Sequence, residues 1–167
     1  MAARGFKFLV IADDSAEFAA AIAYAAHRVK ATNAALLILR IVDTVTDNAH
    51  WVSVGEEMRA EAIEAAEAQA ERLAAEVWAD TGVQPEIVIR EGELRAELRR
   101  LVDEDRDVRI IVLAAGVGRD GPGPLVSSLG KGQGLGGRPV PVLVVPGSLS
   151  REEARALAVP ETGAPDA

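Results

Sequence analysis

Nine of the chain's fifteen glycines fall between Leu113 and Gly137, in the stretch LAAGVGRDGPGPLVSSLGKGQGLGG, beside two adjacent hydroxyls, Ser127 and Ser128. Glycine lets the backbone approach a ligand closely, and successive amides in turns form a nest for an anion, so the chemistry on offer is phosphate binding. Gly116-Val117-Gly118-Arg119-Asp120-Gly121 spells G-x-G-x-x-G after an apolar run. A dinucleotide site also needs a helix opening at the third glycine and an acidic residue about 20 positions later. Here Pro122, Gly123 and Pro124 follow, and the later position falls at Pro141, so that reading fails. Gly130-Lys131 fails as a Walker loop, because Leu125 and Gly132 stand where Gly and Ser or Thr are required. Pro124 suits the first position of a helix, so Gly123 to Leu129 reads as a short helix with its N-terminus toward a ligand and Ser127 and Ser128 as added donors. The other reading is a flexible crossover, and these residues alone leave both open.

Asp13-Asp14-Ser15 is the second cluster of reactive residue types. Its acidic pair resembles the magnesium site of response-regulator receiver domains. That family also needs a phosphorylatable Asp, a Ser or Thr and a Lys at later strand ends. Gly92 or Asp43, Ala114-Ala115 and Pro146 stand there instead. Ser127 and Ser128 are nucleophiles only beside a base. His27 falls mid-helix and His50 in a loop, where packing or surface roles are the ordinary ones. No residue pattern points to catalysis.

The bulk composition narrows the class of ligand. A net charge of -8, with 18 scattered basic residues, argues against nucleic-acid binding. The absence of cysteine removes disulfides and thiolate metal sites, and two histidines are too few for a histidine-built zinc site. No apolar run approaches a membrane span or the core of a signal peptide, so the expected location is cytoplasmic.

The elements that would position these clusters alternate. Apolar runs at Phe6 to Ala12, Ala34 to Val42, Pro85 to Arg90, Val108 to Ala115 and Val140 to Val145 read as five strands. Between them, Ser15 caps a helix with Phe18, Ile22, Ala25 and Val29 on one face, ending near Lys30. Ser53 and Glu56 form a capping box for a second helix reaching Thr81, and Leu94, Leu98 and Leu101 line a third. The glycines of LGKGQGLGG shorten or fray any fourth helix, since each costs about 1 kcal/mol relative to Ala. Pro141 puts the fifth strand at a sheet edge or against a partner. Ser150 and Glu153 repeat the capping box, which predicts a terminal helix over 148–158 and a disordered tail over 159–167. This alternation predicts one α/β domain over 1–147, an open parallel sheet with helices on both faces. Ligands in such sheets bind beyond the carboxyl ends of the strands, where the strand order reverses.

The order and spacing of FLVIADDSAEFAAAIAYAA, LLILRIVD, REGELRAELRRLVDED, RIIVLAAG and PVPVLVV resemble the universal stress protein family over roughly residues 5 to 147. The segment GRDGPGPLVSSL resembles a bacterial subgroup in which G-P-G-P-L-V-S replaces the usual loop. The resemblance implies a five-stranded sheet in the order 3-2-1-4-5 and a homodimer through the fifth strand, Val140 to Val145. It implies ATP or AMP, with or without Mg, between the ends of strands 1 and 4. Asp13 then contacts the adenosine part, flanked by Ala12 and Asp14, and Ile41 packs on adenine. Phosphates and ribose fall to G-x-x-G, nine residues and G-[ST]. Its glycines map to Ala114 and, past one inserted residue and near Gly116, to Gly118; nine residues later stands Ser128, or the pair Ser127-Ser128 at a spacing changed by one. The alternative function is a dimeric interaction module that binds no nucleotide. An ATP hydrolase comes last, with Asp13-Asp14 its only metal ligands and no base.

Overall fold

The computed structural model describes residues 5–43 and 51–160. His50, the side chain of Ser53 and the tail from 161 onward lie outside the described residues. Five strands are present: β1 (Lys7–Ala12), β2 (Ala35–Val42), β3 (Glu86–Glu91), β4 (Val108–Ala115) and β5 (Val142–Pro146). They pair in parallel in the order β3-β2-β1-β4-β5, the order that the resemblance implied. The chain steps outward from β1 to β2 and β3, then returns to the other side of β1 with β4, so the order reverses between β1 and β4. That is the point at which an open α/β sheet leaves a crevice.

Continuous apolar strands need cover on both faces. Phe8 and Val10, Leu36 and Ile38, and Val112 face α1 (Phe18–Thr32), α2 (Trp51–Thr81) and α5 (Arg151–Ala158), with Ala21, Ala25, Val77 and Ala154 completing that layer. Leu9, Leu37, Leu39, Ile111 and Leu113 face α3 (Leu94–Glu104) and α4 (Pro124–Gly130) through Leu98, Leu101, Val102 and Leu125. Alanines dominate the buried side of α1, which lets this helix lie close to the sheet.

Most boundaries fall within a residue or two of the sequence reading, and three of the differences bear on the helix starts and the sheet edge. α1 begins at Phe18 rather than beside Ser15. Ser15 instead donates its N–H and its hydroxyl to Oδ1 of Asp13, a local turn that competes with capping. α2 begins at Trp51, two residues before the expected capping box. β5 spans Val142–Pro146 rather than Val140 to Val145, with Pro141 just outside it offering its carbonyl to the N–H of Ile111. α5 does start at a capped serine, Ser150 Oγ accepting the N–H of Glu153.

One bridge ties α5 to the two helices beneath it. Asp80 on α2 meets Nε2 of His27 on α1 at 2.8 Å and Arg155 on α5 at 2.6 Å. The hydrogen bond with His27, helped by the charge of Arg155, holds the Asp80 carboxyl below its ordinary value of 3.8. A depressed carboxylate stabilises the fold above that ordinary value and loses the contribution as pH falls through the lowered one. Asp80→Asn is therefore expected to cost about 1 kcal/mol near neutral pH, small because Asp80 is 40% exposed. Urea unfolding at pH 7 and pH 3 checks this, because the deficit of the variant should shrink at the lower pH.

Candidate functional site

Beyond the carboxyl ends of β1 and β4 lies a cleft of about 670 Å³. Its apolar wall comes from odd positions of the strands, Ile11, Ile41 and Leu113, met by Leu94 of α3 and Leu125 and Val126 of α4. The strand alternation that buries Leu39 one pleat earlier brings Ile41 to the same face at the rim. Ala12 and Ala114 end β1 and β4 with small side chains, so the mouth between them stays open.

The rim is polar. Asp13 and Asp14 leave β1 together and diverge in partners. Asp13 commits Oδ1 to Ser15, while Oδ2 has no partner among the described residues. Asp14 receives both of its contacts from one guanidinium nitrogen of Arg40, at 3.0 Å each. Arg40 stands opposite Ala12 in the β1–β2 register, which places a cation at the cleft mouth. The pair is exposed on the Asp14 side and adds little stability; its effect is to fix where Arg40 sits.

The loop after β4 forms the far wall through Gly116 and Asp120 to Pro124. It is closed on itself: the N–H of Gly116 donates to the Pro122 carbonyl at 3.1 Å and that of Gly121 to the Gly118 carbonyl at 3.4 Å. Gly118, Gly121 and Gly123 all take positive φ, which explains their residue type. Gly116 is glycine for another reason, because a Cβ there would stand 2.7 Å from the Gly121 carbonyl oxygen.

The family model for the universal stress protein family matches residues 6–146. The chain belongs to that family. Comparison with curated proteins finds no match in sequence. Among solved structures, the universal stress protein UspA from Lactobacillus plantarum superposes with a TM-score of 0.63 at 24% identity, over 86% of this chain and 99% of that one. A universal stress protein family member from Burkholderia pseudomallei gives 0.58 at 19% identity, over 86% and 98%. A universal stress protein in complex with cAMP gives 0.50 at 17% identity, over 87% and 100%. These likenesses establish the fold of this universal stress protein.

Six of the nine residues singled out from the sequence meet at the cleft: Ala12, Asp13, Asp14, Ile41, Ala114 and Gly116. The other three do not line it. Gly118 closes the outer turn of the loop, and Ser127 is exposed on α4 with its N–H bonded to the Gly123 carbonyl. Ser128 is buried and donates its hydroxyl to the Pro124 carbonyl one turn back, so it is not turned toward a ligand. Glu17, Arg40, Asp43 and Asp120 line the cleft and were not singled out. Arg40 had a signal, a lone charge breaking an apolar strand near its carboxyl end. Asp120 had none beyond its place in the glycine stretch.

Proposed function

We propose that this universal stress protein binds an adenine nucleotide in the cleft between the ends of β1 and β4. The observation that carries the reading is the cleft itself, large enough for a nucleoside, with an apolar wall on one side and an uncommitted carboxylate oxygen on the other. Ile41, with Leu125 and Val126, offers a surface for the base. Oδ2 of Asp13 is an acceptor for the ribose hydroxyls, while Ser15 holds the carboxylate in orientation through Oδ1. The neighbour solved with cAMP supports an adenine ligand for the fold. ATP and AMP are the candidates. Among the described residues no group of three or more His, Cys, Asp or Glu is placed to hold a metal, and Mg beside a nucleotide is ordinarily held by one or two carboxylates together with the ligand's phosphates.

The protein is proposed to act as a cytoplasmic homodimer. Its exposed edge is β5, where Val144 is 38% exposed and the neighbouring Val142 and Leu143 are half-buried. No helix among the described residues is long and apolar enough to cross a membrane. The second reading, an interaction module without nucleotide, also draws on this uncovered β5 edge.

Asp13→Ala discriminates between them. Losing hydrogen bonds to a charged acceptor costs about 1.5 to 3 kcal/mol, so affinity for adenosine-containing ligands should fall roughly ten- to hundredfold. Asp13→Asn keeps one oxygen to accept from Ser15 and turns an amide N–H toward ribose, whose hydroxyl oxygens can accept it, and should lose less. Isothermal calorimetry on the full chain reads both. Unchanged affinity in Asp13→Ala removes the nucleoside contact, and no heat with any adenine ligand leaves the interaction module.

A further inference from the structure

The charge of the cleft selects among the ligands that its shape admits. Asp13, Asp14, Glu17 and Asp120 line it, against Arg40 as the one cation among the described lining residues. Arg40 is already paired with Asp14. No lysine stands in the wall among the described residues. A nucleoside triphosphate would bring several negative charges into this surround, while a nucleoside brings none.

The loop that would have to offset this repulsion is poorly supplied with donors. Of its residues lining the cleft, Pro122 and Pro124 have no N–H, and Gly116 and Gly121 donate theirs within the loop. Within the loop only the amides of Asp120 and Gly123 are left without a partner among the described residues, the first beside its own carboxylate, and beyond it the first-turn amides of Leu125 and Val126 in α4 are the remaining open donors. The hydroxyl of Ser128 is spent on the Pro124 carbonyl. Glycines that look like a phosphate nest in sequence are engaged in holding the loop's own shape.

We propose that the cleft selects ligands of low negative charge, a nucleoside or a singly charged nucleoside phosphodiester, over a nucleoside triphosphate. This rests on the adenine-ligand reading above and narrows it. Recognition is then through base and ribose, with Asp120 a specificity residue that penalises added phosphates.

Calorimetry of the full chain with adenosine, cyclic AMP, AMP and magnesium-free ATP tests it. Affinity is expected to fall as ligand charge rises, with ATP roughly tenfold or more weaker than adenosine. Raising salt from about 0.05 to 0.5 M should tighten ATP binding, because it screens repulsion, and leave adenosine unmoved. Asp120→Asn should narrow the gap between the two; the salt series needs no variant. ATP binding as tightly as adenosine, or weakening with salt, overturns the charge selection alone. No binding of any of the four overturns the adenine reading and this inference with it.

Discussion

Gly147→Ala is expected to lower stability by about 3 kcal/mol and to weaken ligand binding as well. Gly147 follows β5, and its N–H donates to the carbonyl of Ala115 at 2.8 Å, which seals the carboxyl ends of β4 and β5 together. A Cβ at this position would collide with Cγ of Glu17 and lie 2.5 Å from the Ala115 carbonyl oxygen. The first clash could be relieved by moving a side chain. The second involves backbone at the end of a buried strand, so either the β4–β5 pairing opens or the chain after β5 shifts outward. Glu17 precedes α1 and lines the cleft, so relief in either direction distorts the site. Denaturant unfolding and an adenosine titration of the same variant check both halves. An unfolding midpoint equal to that of the parent would show that the chain end after β5 yields freely.

Gly147 also shows why some of the site was hidden in the sequence. Its meaning depends on Glu17, 130 positions earlier, and no local pattern connects them. The fold was easier to read, since each strand is an apolar run bounded by polar or turn residues, and β4 spans the same Val108–Ala115 in both readings. Asp13 was legible as a polar residue leaving the end of a strand, whereas Ile41 was named only through the family resemblance. Arg40 was visible only as an interruption of a strand, because its partner Asp14 belongs to another element.

Local rules misled where two of them competed. Ser15 has the residue type of a helix cap but closes onto Asp13 two residues back. Ser128 has the residue type of a phosphate donor but sits where a helical serine bonds the carbonyl four residues earlier. The glycine stretch combined three separate functions in one composition. Gly118, Gly121 and Gly123 supply unusual backbone angles, Gly116 clears room for a turn, and Gly136 lies where a Cβ would stand 2.7 Å from Cγ1 of Val102. Its second half is thus packed against α3 rather than loose, which the sequence reading of a frayed helix or flexible crossover did not anticipate.

That packing predicts a second large effect, one that leaves the site alone. Arg138→Ala should cost about 3 kcal/mol of stability with little change in ligand affinity. The Arg138 guanidinium donates to three backbone carbonyls, through Nε to Val102 at 3.2 Å and through one terminal nitrogen to Asp105 at 3.1 Å and Val108 at 2.7 Å. These carbonyls lie at the end of α3, in the turn that follows it and at the start of β4, and that of Asp105 also accepts the N–H of Val108 at 3.2 Å. Removing the side chain takes a charged donor from all three in a half-buried corner, and the losses add less than fully because they share one group and Asp105 keeps its bond from Val108. The neighbouring N–H of Gly137 to Oδ1 of Asp103, at 2.8 Å, would remain as a weaker tether. Arg138→Lys should recover little, since a single ammonium does not reproduce the spread of the guanidinium. The cleft lies at the other end of β4, and eight residues of strand put roughly 23 Å between Val108 and Ala115. At a typical domain stability of about 5 to 15 kcal/mol the variant stays folded, so unfolding and adenosine affinity can be measured on the same sample. A lower midpoint with unchanged affinity separates the scaffold from the site; an affinity that falls with stability would show that the glycine stretch carries strain from the α3 corner to the cleft.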